Sequence, residues 1–126
     1  MKWEKFLFIC AFSGVTALTR LSLGQVFAFP ETSGLLTAVL KEGEAVARAS
    51  EIALPLDIVE QSYATLQALE PEAIGSMAFD LLAGRRLELE ALNGTMVRLG
   101  QEYGLSLPYN FAMYAALKPY ANGALR

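Results

Sequence analysis

Histidine is missing from the chain altogether. That excludes every catalytic arrangement built on an imidazole base and every imidazole-ligated metal site. Cysteine occurs once, as Cys10. A single thiol excludes an internal disulfide and any Cys-x-x-Cys metal or redox pair. Cys10 lies inside an apolar run, which marks it as an inert, packed thiol. Charge is scarce, at 18% of residues, and no basic stripe is present among the 10 Lys+Arg that face 13 Asp+Glu. The net charge of −3 and absence of such a stripe argue against nucleic acid as the main partner. No Gly-x-Gly-x-x-Gly follows a strand, and no Gly-Lys-Ser/Thr loop occurs, so the usual nucleotide and dinucleotide sites are missing from this chain. No apolar run reaches the roughly 20 residues needed to span a bilayer.

What the chain does have is apolar surface. Hydrophobic residues make up 54% of its 126 residues, and the mean hydropathy is +0.36. That is high for one small domain, which residues 1–126 are expected to form. The surplus implies contact with a partner chain, a second domain or a membrane surface. The first residues resemble the outline of an export signal. Lys2 and Lys5 precede the apolar run Phe6–Phe12, and Val15-Thr16-Ala17 has small-residue character. Glu4 within the basic segment, Ser13-Gly14 within the apolar one and the turn-like Thr19–Gly24 point instead to a helix of the domain itself.

Strand-like alternation is nearly absent, and glycine and proline divide the chain into five to seven helical blocks. The first runs from Trp3 to about Leu21 and is apolar almost all round, with a possible break at Ser13-Gly14. Residues 24–30 read as a connection. Thr32 or Ser33 is placed to cap a helix reaching about Ser50, and Leu54-Pro55 interrupts it. Pro55 or Asp57 opens a third helix carrying Ile58, Val59, Tyr63, Leu66 and Leu69, which Glu70-Pro71 ends. A short helix follows between Ile74 and Gly84. Leu87 to Tyr103 has the clearest periodicity, with Leu89, Leu92, Met96, Leu99 and Tyr103 at spacings of three and four. Asn93-Gly94 is a hairpin signal in isolation, but the surrounding period favours helix, with a close packing contact justifying the glycine. Pro108 and Asn110 start a last helix, which Lys118-Pro119 ends. The fold class expected is therefore all-α.

Three positions could carry chemistry. Lys5 stands in an apolar helix, with Ile9 and Ser13 at successive four-residue steps on one face and Thr16 close to it. Apolar surroundings suit a lysine to proton transfer, and the alternative is that it simply reaches solvent near the helix start. Glu88, with Glu90, opens the most regular block. A carboxylate in a first turn is favoured by the helix dipole, and Glu88 on the flank of the apolar seam could also face a cleft. Ser76 follows Gly75, with Asp80 one turn on. Its hydroxyl either ties into the local helix or orients a polar substrate group.

The order and spacing of these residues carry a resemblance. Trp3-Glu4-Lys5 with Ser13-Gly14-Val15-Thr16-Ala17 resembles the start of the C-terminal domain of ketopantoate reductases (2-dehydropantoate 2-reductases). Ser76-Met77, Asp80-Leu81, Gly84-Arg85, Glu88-Leu89-Glu90, Asn93-Gly94, Gly100, Gly104, Pro108 and Asn110 resemble that family's most distinctive stretch. The resemblance runs from Trp3 to about Pro119. It implies an all-α, multi-helix bundle similar to the C-terminal domains of 6-phosphogluconate dehydrogenase-like proteins. It also implies a preceding Rossmann domain that binds NADPH, absent from this chain, and reduction of 2-dehydropantoate or a related 2-keto acid in pantothenate and coenzyme A synthesis. By resemblance Lys5 is the catalytic lysine that protonates the ketone oxygen, Glu88 the active-site glutamate and Ser76 a substrate-binding serine. The family's asparagines one and two turns after the lysine are here Ile9 and Ser13, and a further one is Leu23. Ser13 is expected to replace one of these substrate contacts. The expectations that follow are a cytoplasmic homodimer, no metal, no cofactor site within this chain and no turnover by these residues alone. The competing expectation is a stand-alone helical dimerisation domain without catalysis.

Overall fold

The computed structural model describes residues 2–125, and among them helices and turns account for all regular structure, as expected for the all-α class. Helix α1 (Trp3–Thr19) is the centre of the bundle. It runs unbroken through Ser13-Gly14, and Leu7, Cys10, Ala11, Val15 and Ala17 are buried along it. The segment with the outline of an export signal is thus core material. Cys10 is fully buried, and burial pushes its thiol up to about 12, the inert behaviour expected of it. Arg20, in the left-handed conformation, closes the helix by donating its N–H to Thr16 O.

Residues 24–30, read above as a connection, instead contain most of a short helix, α2 (Leu23–Phe27). Its start is fastened from both sides. The Gln25 side chain accepts the Ser22 amide at 3.0 Å, and the Leu23 and Gly24 amides donate to Ala73 O and Pro71 O. Helix α3 (Pro30–Ala49) begins ahead of the predicted caps. Pro30 supplies the first turn, where its missing N–H costs nothing, while Thr32 donates its hydroxyl backwards to Val26 O at 2.6 Å. The helix also stops before Leu54-Pro55. Glu51 adopts φ 61°, and the Ile52 amide reaches back to Ala47 O. Helices α1 and α3 meet at Gly43, where a Cβ would lie 2.9 Å from Leu7 Cβ.

Helix α4 (Ile58–Gln67) follows Asp57, and α5 (Ser76–Leu82) starts at Ser76. The expected single helix from Leu87 to Tyr103 is a composite. Leu87 and Glu88 lie outside regular structure, Glu90–Gly94 forms a π-helical turn, and α6 (Thr95–Glu102) continues from it. The π turn shifts the phase of the apolar seam, so Leu89 and Met96 are buried while Tyr103 is exposed. Helix α7 (Pro108–Leu117) and a 3-10 turn at Lys118–Tyr120 complete the bundle. The larger apolar cluster lies among α1, α2, α3 and α4 and takes in Met96 of α6, Leu107 and Met113 of α7. A smaller one, built on Ala17, Met77, Ala78, Leu87, Leu89 and Leu117, joins α5 and the start of the π turn to α1 and α7.

Candidate functional site

Two turns of α1 separate Lys5 from Ser13, and the face they share passes from solvent into the core. Lys5 is exposed, Ile9 half-buried, and Ser13 and Thr16 buried. Gly75 is what lets α5 approach that face. A Cβ there would fall 2.5 Å from Ser13 Cα and 2.6 Å from its Oγ. The Gly75 amide donates to Thr16 Oγ1 at 3.0 Å, and Thr16 in turn donates to Phe12 O. Gly75 is also the N-cap of α5, so Ser76 follows directly on the residue that packs against Ser13, with its own side chain exposed. The structure therefore packs the start of α5 against Ser13, with Ser76 next in the chain, and places Lys5 further along the same helix as Ser13.

Glu88 is not in a helical first turn, as the periodicity implied. It sits just before the π turn, its carbonyl accepting the Leu92 amide at 3.1 Å and its side chain exposed between buried Leu87 and Leu89. Leu87 is pinned by its amide to Ala121 O at 2.9 Å. Among the described residues neither a hydrogen bond nor a salt bridge joins Lys5 to Glu88.

The π turn itself is locked by a buried polar chain that the sequence reading saw only as motif letters. Glu42, buried on α3, accepts the backbone amides of Tyr109 and Asn110 at 3.0 and 2.8 Å and the Asn110 side-chain amide at 2.8 Å. It thereby caps the N-terminus of α7 from another helix. A carboxylate can only accept, so Asn110 must turn its NH2 toward Glu42 and its Oδ1 away. Asn93 then donates to that Oδ1 at 2.9 Å and to Cys10 O on α1 at 3.4 Å. Asn93 Oδ1 is left buried without a partner among the described residues, close to where a side chain at Gly14 would stand. So Asn93, Gly14 and Asn110 act in packing, and they tie the Glu88 segment to the helix that carries Lys5.

Glu90, noted above only as a first-turn acid, is the hub of a surface cluster. Tyr114 Oη donates to both of its oxygens, Lys118 Nζ lies 2.6 Å away and Arg98 bonds it at 3.1 Å. The Lys118 and Tyr114 bonds hold its carboxyl below the usual carboxylate range, and the same Glu90 bond raises Lys118.

Lys5 also stands on the rim of a groove of about 580 Å³ between the start of α1, the α3–α4 connection and α4. Trp3, Phe8, Leu54 and Ile58 line it, and Ser62 contributes from α4. The sequence reading missed this side of Lys5. The available signal was Ser62 itself, a hydroxyl midway between Ile58 and Leu66 on the apolar stripe of α4.

The comparisons with known proteins agree with this architecture. The family model described as ketopantoate reductase PanE/ApbA C terminal matches residues 1–121. The 2-dehydropantoate 2-reductase of Caulobacter vibrioides is 33% identical over 120 residues, covering 94% of this chain and 40% of the relative. That of Vibrio cholerae is 31% identical over 117 residues, covering 92% and 39%. A dimeric ketopantoate reductase from Staphylococcus aureus superposes with a TM-score of 0.89 at 28% identity, covering 94% of this chain and 42% of that one. The chain thus spans about two fifths of the length of the curated relatives it matches. With the family model matching nearly its whole length and the same helical bundle in a solved relative, the chain belongs to the ketopantoate reductase family, as its C-terminal helical domain.

Proposed function

We propose that this chain is the substrate-holding domain of a cytoplasmic, NADPH-dependent reductase that converts 2-dehydropantoate, or a related 2-keto acid, to the 2-hydroxy acid. The observation that carries the reading is the α1–α5 contact. Gly75 packs against Ser13, on the helix face that leads to the exposed Lys5, and Ser76 follows it at the start of α5, within a chain of this family. In this reading Lys5 is the general acid. As the ketone is reduced, an Nζ–H bond breaks and the alkoxide oxygen takes the proton. Ser13 and Ser76 donate hydrogen bonds that orient the substrate's polar end. Glu88 supplies hydrogen bonding and charge beside it, from a backbone anchored by Leu87 and Leu89.

NADPH is assigned to a domain outside this chain. The described residues contain no strand, so the strand–loop–helix turn that cradles a dinucleotide pyrophosphate has no counterpart among them. The residues of this chain contribute the proton and the substrate contacts, not the reductant. Two measurements test the reading. The 126-residue chain mixed with NADPH and 2-dehydropantoate should show no turnover. Joined to a dinucleotide-binding domain, it should turn over, and Lys5→Ala should lower kcat by about a hundredfold or more with the helical fold intact. Turnover by the chain alone, or an unchanged kcat in the Lys5→Ala fusion, would overturn it.

Exposed Phe29, Phe79, Leu82 and Phe111 favour a second reading alongside the first, in which this domain also pairs with a second copy. Sedimentation equilibrium tests it, with a monomer at all concentrations as the refuting result.

A further inference from the structure

We infer that Thr16 is a positioning residue of the reductase: its buried hydroxyl holds the Gly75 amide, which fixes where α5 starts along α1 and so where Ser76 meets the substrate. The inference rests on the functional reading above and adds to it a residue that touches no substrate.

Thr16 is 0% exposed. Its hydroxyl has one proton, which it donates to Phe12 O at 2.7 Å. That bond orients the oxygen so that a lone pair is free to accept the Gly75 amide at 3.0 Å, 59 residues along the chain. The hydroxyls of Ser50 and Thr65 make the same backward bond without serving a second element among the described residues. The rest of the α1–α5 contact is non-directional. Ala17 packs with Met77 and Ala78, and the missing Cβ of Gly75 sets how closely the two helices approach. Apolar packing of this kind has no preferred direction, whereas a hydrogen bond fixes both a distance and an angle. Among the described residues the Thr16–Gly75 bond is the one hydrogen bond that joins α1 to the start of α5. Helix α5 has seven residues, too few to hold a helix by itself, and it follows an exposed connection, residues 68–72. Its placement therefore comes from its contacts. Gly75 is buried and the side chain of Ser76 is exposed, so the bond stands at the last buried residue before the group assigned to the substrate. Covalent continuity passes any displacement of Gly75 on to Ser76.

The test is a double-mutant cycle in the reductase formed by joining the 126-residue chain to a dinucleotide-binding domain, assayed with NADPH and 2-dehydropantoate. Thr16→Val keeps the branched shape and removes both bonds. It should raise the KM for 2-dehydropantoate about three- to tenfold, the worth of one hydrogen bond, with kcat within about twofold because Lys5 stays in place. Ser76→Ala should raise KM by a similar factor. Adding Thr16→Val to it should raise KM no further, since the hydroxyl that Thr16 positions is gone. Thr16→Ser, which keeps the hydroxyl, should restore the original KM. Val39→Ala, a truncation in the core on α3, should lower stability and leave KM unchanged, which separates positioning from a loss of stability. Thr16→Ala, with room for a water at the freed amide, takes the place of Thr16→Val should the valine variant not fold. An unchanged KM in the folded Thr16 variant, or factors that multiply in the double variant, would overturn the inference alone. An unchanged KM in Ser76→Ala would overturn the reading of Ser76 beneath it.

Discussion

Asn93 has one orientation open to it, and the reason lies two links away in the polar chain. Glu42 fixes Asn110, and Asn110 demands a donor from Asn93. Asn93→Asp would set a carboxylate against the Asn110 oxygen in a site with no solvent access. It should cost more than about 3 kcal/mol, read as a lower urea midpoint with an unchanged denaturant slope. Glu42→Ala leaves three donors without their acceptor and should cost about 2–4 kcal/mol, with Glu42→Gln milder because one carbonyl acceptor remains. Gly75→Ala acts on the site more directly. Its Cβ would meet Ser13 backbone at 2.5 Å, so α5 must move off α1. A loss of about 1–3 kcal/mol is expected, together with amide shifts at Ser13 and Ser76 that locate the displacement.

At the scale of elements, the π turn decides where the candidate glutamate stands. The Gly94 amide bonds Leu89 O, five residues back, and this wider turn is what separates Glu88 from α6. Helix propensity alone says that Gly94→Ala should stabilise by about 1 kcal/mol. The structure reverses the sign. A Cβ would stand 3.1 Å from the Tyr114 ring and 3.2 Å from Leu89 O, and Tyr114 is held by Glu90. Gly94→Ala is therefore expected to lower the thermal midpoint.

Glu90 fastens the same turn to α7, and its linkage has a definite sign. Its carboxyl is depressed in the folded state, so its stabilisation is present above the ordinary value of 4.5 and is lost as pH falls through the folded one. Lys118 is raised, so its contribution is present below 10.5 and fades as pH climbs through its folded value. Urea unfolding of Glu90→Gln across pH should therefore lose the part of the acid-side decline that belongs to this cluster.

Across the whole molecule, α1 serves both stability and the site. Its buried side meets α3 at Gly43 and α5 at Gly75, while its exposed edge carries Lys5. Exposed Phe79 and Leu82 on α5, near Ser76, mark surface that a lone helical domain has little reason to present. No helix of the described residues is long and apolar enough to cross a membrane. The all-α class, α1, α7 and the family resemblance were legible because they depend on local signals. Apolar residues recur with a helical period, prolines mark helix starts, and Ser76, Glu88, Asn93 and Asn110 keep a fixed spacing. Helix α2 was not, because five residues carry too little periodicity to distinguish a turn of helix from a loop.

The sequence by itself determined the helical class, the lack of imidazole and thiol chemistry, and the set Lys5, Ser13, Ser76 and Glu88 as candidates, because composition and spacing are properties of the chain alone. Only the tertiary structure decided that Gly75 packs against Ser13, that Glu88 precedes a π turn and that Ser62 lines a groove with Lys5. Those outcomes depend on which glycines allow helices to touch and on a buried carboxylate 68 residues from the amide it caps, and contacts of that separation leave no periodic trace along the chain.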